Sequence, residues 1–190
     1  MNSFTKLLLL LSIFNFQNVL SQENQNANVL KIVLKKYYKS EKIVYKGRSQ
    51  LLYFYCDKAN NNEELIEATK NKELPKEFLN EIKSKIATDV KIEDWSVELN
   101  EIYATDSNNL KQKINDCKTL EKYHIVSKKL NLNNQRLLIV SKPLFYSKGT
   151  IALVKITFYR NIEHNNGVIL LLEKVNNEWV IKDELNSWST

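Results

Sequence analysis

Glycine is scarce in this chain. Gly47, Gly149 and Gly167 are the only three glycines among 190 residues, and they lie far apart. Loops that bind dinucleotides or phosphates place several glycines within a few residues, because the backbone must approach the ligand closely. The sequence therefore excludes both kinds of loop.

Motifs for metal binding and for nucleophilic catalysis are also missing. The two histidines, His124 and His164, are forty positions apart, and neither a His-Glu-x-x-His nor a Cys-x-x-Cys motif occurs. A closed zinc site needs four ligands. A catalytic serine of the α/β-hydrolase type sits in a Gly-x-Ser-x-Gly turn, which this chain lacks. We expect no metal, no cofactor and no catalytic residue of these classes.

Cysteine is limited to Cys56 and Cys117. In an oxidising compartment, a small even number of cysteines favours a disulfide. Two unpaired buried thiols would instead behave as small apolar side chains. The sequence leaves both possibilities open, because it does not give the distance between the two alpha carbons.

A long apolar run occurs only at the start of the chain, in MNSFTKLLLLLSIFNFQNVLSQ, where Lys6 is the single charge. A basic start, a short apolar centre and a small residue at the end are the three parts of a secretory signal peptide. A membrane anchor would need about 20 apolar residues, and this run is shorter. We predict a signal peptide over residues 1–21, cleavage near Ser21 and export to the periplasm or the extracellular space.

The mature chain would begin with a short tail. Residues 22–28 are polar and have no periodicity, which predicts a flexible segment. Residues 29–190 fit one domain that is large enough to bury a core, and none of its segments could span a membrane. Removal of the leader leaves 27 basic and 22 acidic residues, so the net charge is +5 rather than +6.

Positive charge is concentrated near the start of this domain. Seven basic residues lie between Lys31 and Arg48, against a single acid. Such a patch attracts anionic polymers, anionic lipids or nucleic acid, although the lysines can equally keep a helix and an edge strand solvated. Export argues against nucleic acid, and we predict none. The candidate binding residues in this patch are Lys35, Lys36 and Tyr38.

A second set of candidate binding residues lies in the loop RNIEHNN, which contains Arg160 and His164. Loops between strands often carry binding residues, and the charge of a histidine changes near neutral pH. The alternative is an ordinary solvated loop.

Helical patterns dominate the first two thirds of the chain. From Val29 to Tyr37 the apolar residues recur at helical spacing. Further helices are predicted within residues 61–89 and after Ser107 and Thr119, whose side chains suit the first turn of a helix.

Strand patterns lie between and after these helices. KIVYKGRSQLLYFYCD is rich in aromatic and beta-branched residues and predicts a hairpin that turns near Gly47. Residues 90–99 alternate weakly and predict a strand. RLLIVSKPLFY and TIALVKITFY predict two more strands, the first of them interrupted or placed at an edge because Pro143 lacks an amide hydrogen. The predicted fold class is α+β, with an antiparallel sheet that ends in a C-terminal meander and helices packed on one face.

The final residues, GVILLLEKVNNEWVIKDELNSWST, predict the last hairpin of this meander. Asparagine tolerates the left-handed backbone of a tight turn, so the turn is assigned to residues 176–177. Pairing across it places Leu172 opposite Ile181 and Leu170 opposite Asp183. One face is then apolar and forms the wall of a core, and it carries Val168, Leu170, Leu172, Trp179, Ile181 and Leu185.

Four acids near the middle of the chain offer an enzymatic alternative. Glu93, Asp94, Glu98 and Glu101 could supply a pair of carboxyl groups for hydrolysis in a pocket lined by the sheet. Their separation depends on the fold, and a solvated helix or strand face explains them as well.

The C-terminal third resembles a family of small, uncharacterised exported proteins of Bacteroidota-type bacteria. The resemblance rests on the Ser-Lys-Pro strand, the Ala-Leu-Val strand and the final Lys-Val-Asn-x-x-Trp hairpin. Relatives carry a Cys-Gly-rich element after the aromatic pair that corresponds to Phe158 and Tyr159. RNIEHNN stands there in this chain, so no role of that element carries over. The resemblance implies export and an α+β fold, but no activity. The final hairpin is also similar to that of cone-shaped NTF2-like domains.

Together these features predict a non-catalytic exported protein. The expected partner is a protein or an anionic component of the cell envelope, and the carboxylate-dependent hydrolase is the alternative.

Overall fold

The computed structural model describes most of the chain after the predicted leader. The described residues are 25–39, 43–45, 48–60, 64, 65, 77, 80, 81, 84, 93–106, 109–114, 116–131, 134–146 and 148–190. Within them, no helix is both long enough and apolar enough to cross a membrane.

The described helices and strands fit the α+β class that the sequence predicts, with five strands after the last helix. The helices are α1 (residues 25–37), α2 (Ser96–Thr105), α3 (Leu110–Ile114) and α4 (Leu120–Leu130). The strands are β1 (Ile43–Tyr45), β2 (Arg48–Phe54), β3 (Gln135–Val140), β4 (Leu144–Tyr146), β5 (Ile151–Asn161), β6 (His164–Val175) and β7 (Glu178–Ser189). Residues 64, 65, 77, 80, 81 and 84 are also helical. The rest of residues 61–89, where the sequence predicts further helices, lies outside the described part.

One mostly antiparallel sheet contains all seven strands. Its order is β1-β2-β3-β5-β6-β7, and β4 pairs with β5 beyond the end of β3. The predicted N-terminal hairpin is confirmed, since Tyr45 pairs with Arg48, although its turn lies outside the described residues. The C-terminal meander β5-β6-β7 is confirmed as well. Strands β2 and β3 pair in parallel, which requires the long connection that carries α2, α3 and α4.

The interruption predicted at Pro143 is a bulge between β3 and β4. Val140 pairs with Ile156 and Leu144 pairs with Leu153, so three residues lie opposite two. The Ser141 hydroxyl accepts the backbone N–H of Lys155 at 2.8 Å, and the N–H of Ser141 donates to the Lys155 carbonyl at 2.9 Å. The bulge thus accommodates the proline without loss of these two hydrogen bonds.

The register of the last hairpin is confirmed near its turn and wrong farther away. Leu172 pairs with Ile181 as predicted, but Leu170 pairs with Glu184 instead of Asp183, because the register shifts between Leu171 and Leu172. A shift of one residue reverses the face on which every later side chain lies. Leu185 therefore leaves the predicted face and packs on the opposite one, in a cluster with Leu65, Leu144, Tyr146, Leu153 and Ile169.

The larger core lies on the first face of the sheet, under α1, α2 and α3. Helix α1 contributes Leu30, Val33 and Leu34, each fully buried, against strand residues such as Val154 and Leu170. A fully buried aliphatic side chain of this size stabilises the fold by about 1.5–3 kcal/mol. Trp179 also belongs to this core, as predicted.

Helix α1 begins earlier than the sequence predicts. The sequence predicts a flexible tail over residues 22–28, but residues 25–28 are helical. Asn26 and Ala27 are buried, and Ala27 joins the larger core. A single buried alanine beside polar residues gives too weak a periodic signal for this turn to be recognised.

The strand predicted over residues 90–99 is wrong where the structure describes it. Residues 96–105 form α2, and Asp94 stabilises its start by accepting the N–H of Ser96 at 2.8 Å. Trp95, Leu99 and Ile102 are buried at the spacing of one helical face. Val97, which the alternating pattern placed beside Trp95, is 59% exposed.

The start of α4 agrees with the sequence. The Thr119 hydroxyl accepts the N–H of Lys122 at 3.3 Å, as expected of a capping residue. Ser107, the other predicted cap, lies outside the described residues. Tyr123 is fully buried, and its position beside Tyr53 and Tyr159 places α4 over the second face of the sheet. The prediction that the helices pack on one face is therefore wrong for α4.

Candidate binding face

The second face of the sheet carries a row of aromatic side chains. Leu52 and Phe54 point into the larger core, so strand alternation puts Tyr53 and Tyr55 on the other side. The row continues through Leu137 to Tyr159, because both Tyr53 and Tyr159 pair with Leu137 across the sheet. We call the set Tyr53, Tyr55, Tyr159 and Trp188 the aromatic face; all four side chains are half-buried.

Helix α4 holds one end of the aromatic face in place. The ring centroid of Tyr123 lies 6.0 Å from those of both Tyr53 and Tyr159, in edge-to-face contacts. Its hydroxyl donates to the Arg160 carbonyl at 3.4 Å. His124, which is exposed, lies with its Nε2 atom 3.3 Å from the Tyr159 hydroxyl. These contacts fix the ring of Tyr159 while part of it stays accessible.

The other end of the aromatic face is formed by Trp188, which packs over Gly167. A Cβ atom at position 167 would lie 2.3 Å from the indole ring and 2.4 Å from the Ile156 carbonyl oxygen, so only glycine leaves room for this arrangement. The indole also packs against the smaller core cluster. Trp188 is therefore a rigid part of the surface rather than a loose C-terminal side chain.

Two lysines lie over these rings. The Lys118 Nζ atom is 5.3 Å from the centroid of Tyr53, and the Lys155 Nζ atom is 4.8 Å from Trp188. Contacts of this kind contribute about 0.5–1 kcal/mol at accessible sites. Lys155 also forms an ion pair with Glu64, and burial lowers the pKa of its ammonium group. The aromatic face thus combines flat apolar rings with positive charge.

Of the candidates predicted on α1, one is not accessible. Tyr38 is buried and its hydroxyl donates to the Leu52 carbonyl at 3.2 Å, and burial raises its pKa. It belongs to the core, because the helical spacing that makes Lys35 exposed turns Tyr38 inward. Lys36 forms an ion pair with Glu184, while Lys35 points into solvent.

The sequence predicts a loop over RNIEHNN, but only residues 162 and 163 form the turn: Arg160 lies at the end of β5 and His164 at the start of β6. Arg160 follows Tyr159 directly and is half-buried, and His164 is exposed. The Asn161 side-chain oxygen accepts the backbone N–H of His164 at 2.8 Å and lies 3.1 Å from its Nδ1 atom. These contacts order the loop, and Ile162 at its tip is 86% exposed.

Cys56 and Cys117 form a disulfide, with their alpha carbons 5.0 Å apart. The bond joins the residues after β2 to the segment before α4, and backbone hydrogen bonds support the same connection. Cys56 donates its N–H to the Lys118 carbonyl at 3.2 Å, and Lys118 donates to the Phe54 carbonyl at 2.7 Å. The disulfide therefore fixes Lys118 near Tyr53.

The acids of the hydrolase alternative meet around a buried lysine. The Lys58 Nζ atom lies 2.6 Å from Glu98 and 3.2 Å from Glu93, and its side chain and that of Glu98 are only 7% and 2% exposed. Lys142 contacts Glu93 from the other side at 2.9 Å. Of the remaining two acids, Asp94 accepts the N–H of Ser96 at the start of α2, and Glu101 is exposed.

Ion pairing determines the charge of Glu93. Burial opposes its ionisation, but hydrogen bonds and ion pairs with Lys142 and Lys58 outweigh burial, and its pKa is lowered from 4.5. This pairing stabilises the fold fully above pH 4.5, and the stabilisation is lost as the pH falls through the lowered folded-state pKa. A carboxylate held in this way is a weak base, which favours a structural role for the cluster.

The fold and the aromatic face define an α+β protein with a mostly antiparallel sheet, one face of which is partly accessible and aromatic. No family model, no curated protein and no solved structure matches the chain. The resemblance to exported proteins of Bacteroidota-type bacteria and to NTF2-like domains therefore stays a prediction.

Proposed function

We propose that this chain is an exported protein that binds an anionic polymer of the cell envelope at its aromatic face. The observation that carries the proposal is the placement of Lys118 and Lys155 over Tyr53 and Trp188, on one half-buried surface. Aromatic side chains with accessible rings are enriched in binding sites, since they offer large apolar area with little loss of conformational freedom. The lysines add attraction for negative charge.

Export is supported by two independent features. The first 21 residues have the three-part pattern of a signal peptide, and the Cys56–Cys117 bond suits an oxidising compartment. A mature chain of net charge +5 would also be drawn towards the negatively charged polymers of a cell envelope.

The charge distribution favours a polymer over a protein partner. On the aromatic face the cations lie beside flat rings, an arrangement that can contact negatively charged groups and apolar ring surfaces in a repeating chain. Protein interfaces, in contrast, are depleted of lysine in their central part.

Affinity electrophoresis in gels that contain a soluble polymer tests this function. We expect polygalacturonate, polyglycerol phosphate or dextran sulfate to retard the protein, and neutral dextran to leave its mobility unchanged. Lys118→Gln should weaken binding about three- to fivefold, because one charge contact is lost. Lys111→Gln, which removes an equal charge from an exposed position on α3, should bind like the wild type.

Two outcomes would contradict the proposal. One is that no anionic polymer retards the wild type at low ionic strength, where screening is weakest. The other is that Lys118→Gln and Lys111→Gln weaken binding equally, which would show attraction to net charge without a site. Reproducible capture of an envelope protein by a folded chain that binds no polymer would replace the polymer with a protein partner.

A further inference from the structure

Lys155 is the cation that lies deepest in the aromatic face. It lies in the middle of β5, its side chain is 14% exposed, and its partner Glu64 is 57% exposed. A buried cation requires a negative partner, because a desolvated charge without one is costly. The exposed carboxylate of Glu64 supplies that partner from outside the sheet.

Glu64 can leave this position without a change in the fold. The neighbouring residue, Leu65, is fully buried in the smaller core cluster and anchors the backbone. The Glu64 side chain, which is 57% exposed, can then rotate into solvent when another anion replaces it, since Lys155 must keep a negative partner. A second carboxylate could take its place on Lys155.

Trp188 lies close enough to Lys155 for a ligand carboxylate on Lys155 to bring the rest of that ligand against the indole ring. Its ring centroid is 4.8 Å from the Lys155 Nζ atom, and Gly167 holds the indole rigidly against the sheet. A group that contacts both residues would carry its negative charge close to an apolar surface of its own. A pyranose with a carboxyl group meets this description.

We infer that the aromatic face binds acidic sugars through Lys155 and Trp188, and that Glu64 occupies the carboxylate position when no ligand is bound. The inference rests on the proposed function and adds its ligand class. It distinguishes carboxylated sugars from phosphate or sulfate polymers, because a planar carboxylate can replace the planar carboxylate of Glu64 atom for atom.

Glu64→Gln tests the inference because this variant is expected to strengthen binding and not to weaken it. Removal of the competing carboxylate should tighten binding of polygalacturonate by about three- to fivefold, the equivalent of an exposed ion pair. Glu101→Gln removes an equal negative charge from an exposed position on α2, over the opposite face of the sheet, so any gain from net charge alone appears in this control. The affinity constants are measured by isothermal titration with polygalacturonate of uniform length.

Two further variants complete the test. Lys155→Met should abolish the preference for polygalacturonate over polyglycerol phosphate, and Trp188→Phe should weaken polygalacturonate binding while circular dichroism shows an intact fold. The inference is overturned if Glu64→Gln and Glu101→Gln bind alike, or if the wild type prefers polyglycerol phosphate. Either result leaves the proposed function standing, because an anionic polymer would still bind.

Discussion

Replacement of Lys58 by methionine is expected to lower the free energy of unfolding by about 3–5 kcal/mol. The Nζ atom of Lys58 lies 2.6 Å from Oε1 of Glu98, and both side chains are almost fully buried. The other carboxylate oxygen of Glu98 has no hydrogen-bond partner among the described residues. Without the lysine, the carboxylate remains in the interior without a counter-charge, which is the costly arrangement. Urea unfolding measures the difference.

A double variant distinguishes the cost of an unpaired buried charge from other effects of the substitution. Lys58→Met combined with Glu98→Leu removes both charges and should recover most of the loss, to within about 1 kcal/mol of the wild type. Lys142→Met, which removes the more exposed lysine of the same cluster, should cost about 1 kcal/mol or less. If the double variant loses as much stability as Lys58→Met and Glu98→Leu lose together when measured singly, the buried pair does not account for the stability of this region.

Removal of the disulfide, by Cys56→Ala together with Cys117→Ala, is the second large effect. The bond spans 61 positions of sequence, and closing a loop of this length stabilises the folded chain by about 4 kcal/mol in the entropic description. The backbone hydrogen bonds between Cys56 and Lys118 do not depend on the sulfur atoms. We therefore expect a folded protein of reduced stability.

A reducing agent provides the matched control for this variant. It should lower the urea midpoint of the wild type to that of the double variant and leave the variant itself unchanged. Equal midpoints for the wild type and the variant under oxidising conditions would contradict the prediction. So would an intact mass of the purified wild type that shows two free thiols.

The sequence predicts the wall of the core better than the surface opposite to it. The final hairpin is recognisable because its apolar residues alternate and its turn residues accept a left-handed backbone, with φ values of 50° and 68°. Its register fails beyond Leu172, because a bulge depends on packing with the neighbouring strand and leaves no mark in the alternation.

Local patterns misled the interpretation at Trp95 and at Tyr38. Trp95, Val97 and Leu99 fit a strand, while Trp95, Leu99 and Ile102 fit a helix; the segment is too short for periodicity alone to decide. The basic residues around Tyr38 favoured a binding role for it, yet Tyr38 follows the same helical spacing as the buried side chains of α1.

The aromatic face could not be assembled from the sequence. Its members range from Tyr53 to Trp188, and they meet because β2 pairs in parallel with β3 across a connection of some eighty residues. One signal was present: in the run Tyr53-Phe54-Tyr55, alternation must send the central ring one way and the two tyrosines the other. The sequence does not tell which of these two faces packs against the core.

Hydroxyl-radical footprinting in the presence of polygalacturonate tests the central claim most directly, since it reports by mass spectrometry which tyrosine and tryptophan rings a bound polymer covers. We expect slower oxidation of Tyr53, Tyr159 and Trp188, and unchanged oxidation of Tyr103, a half-buried tyrosine of α2 on the other side of the sheet. Protection of Tyr103 or Tyr37 with no change at Trp188 and Tyr159 would contradict the account, because the polymer would then bind over the helices and not on the aromatic face.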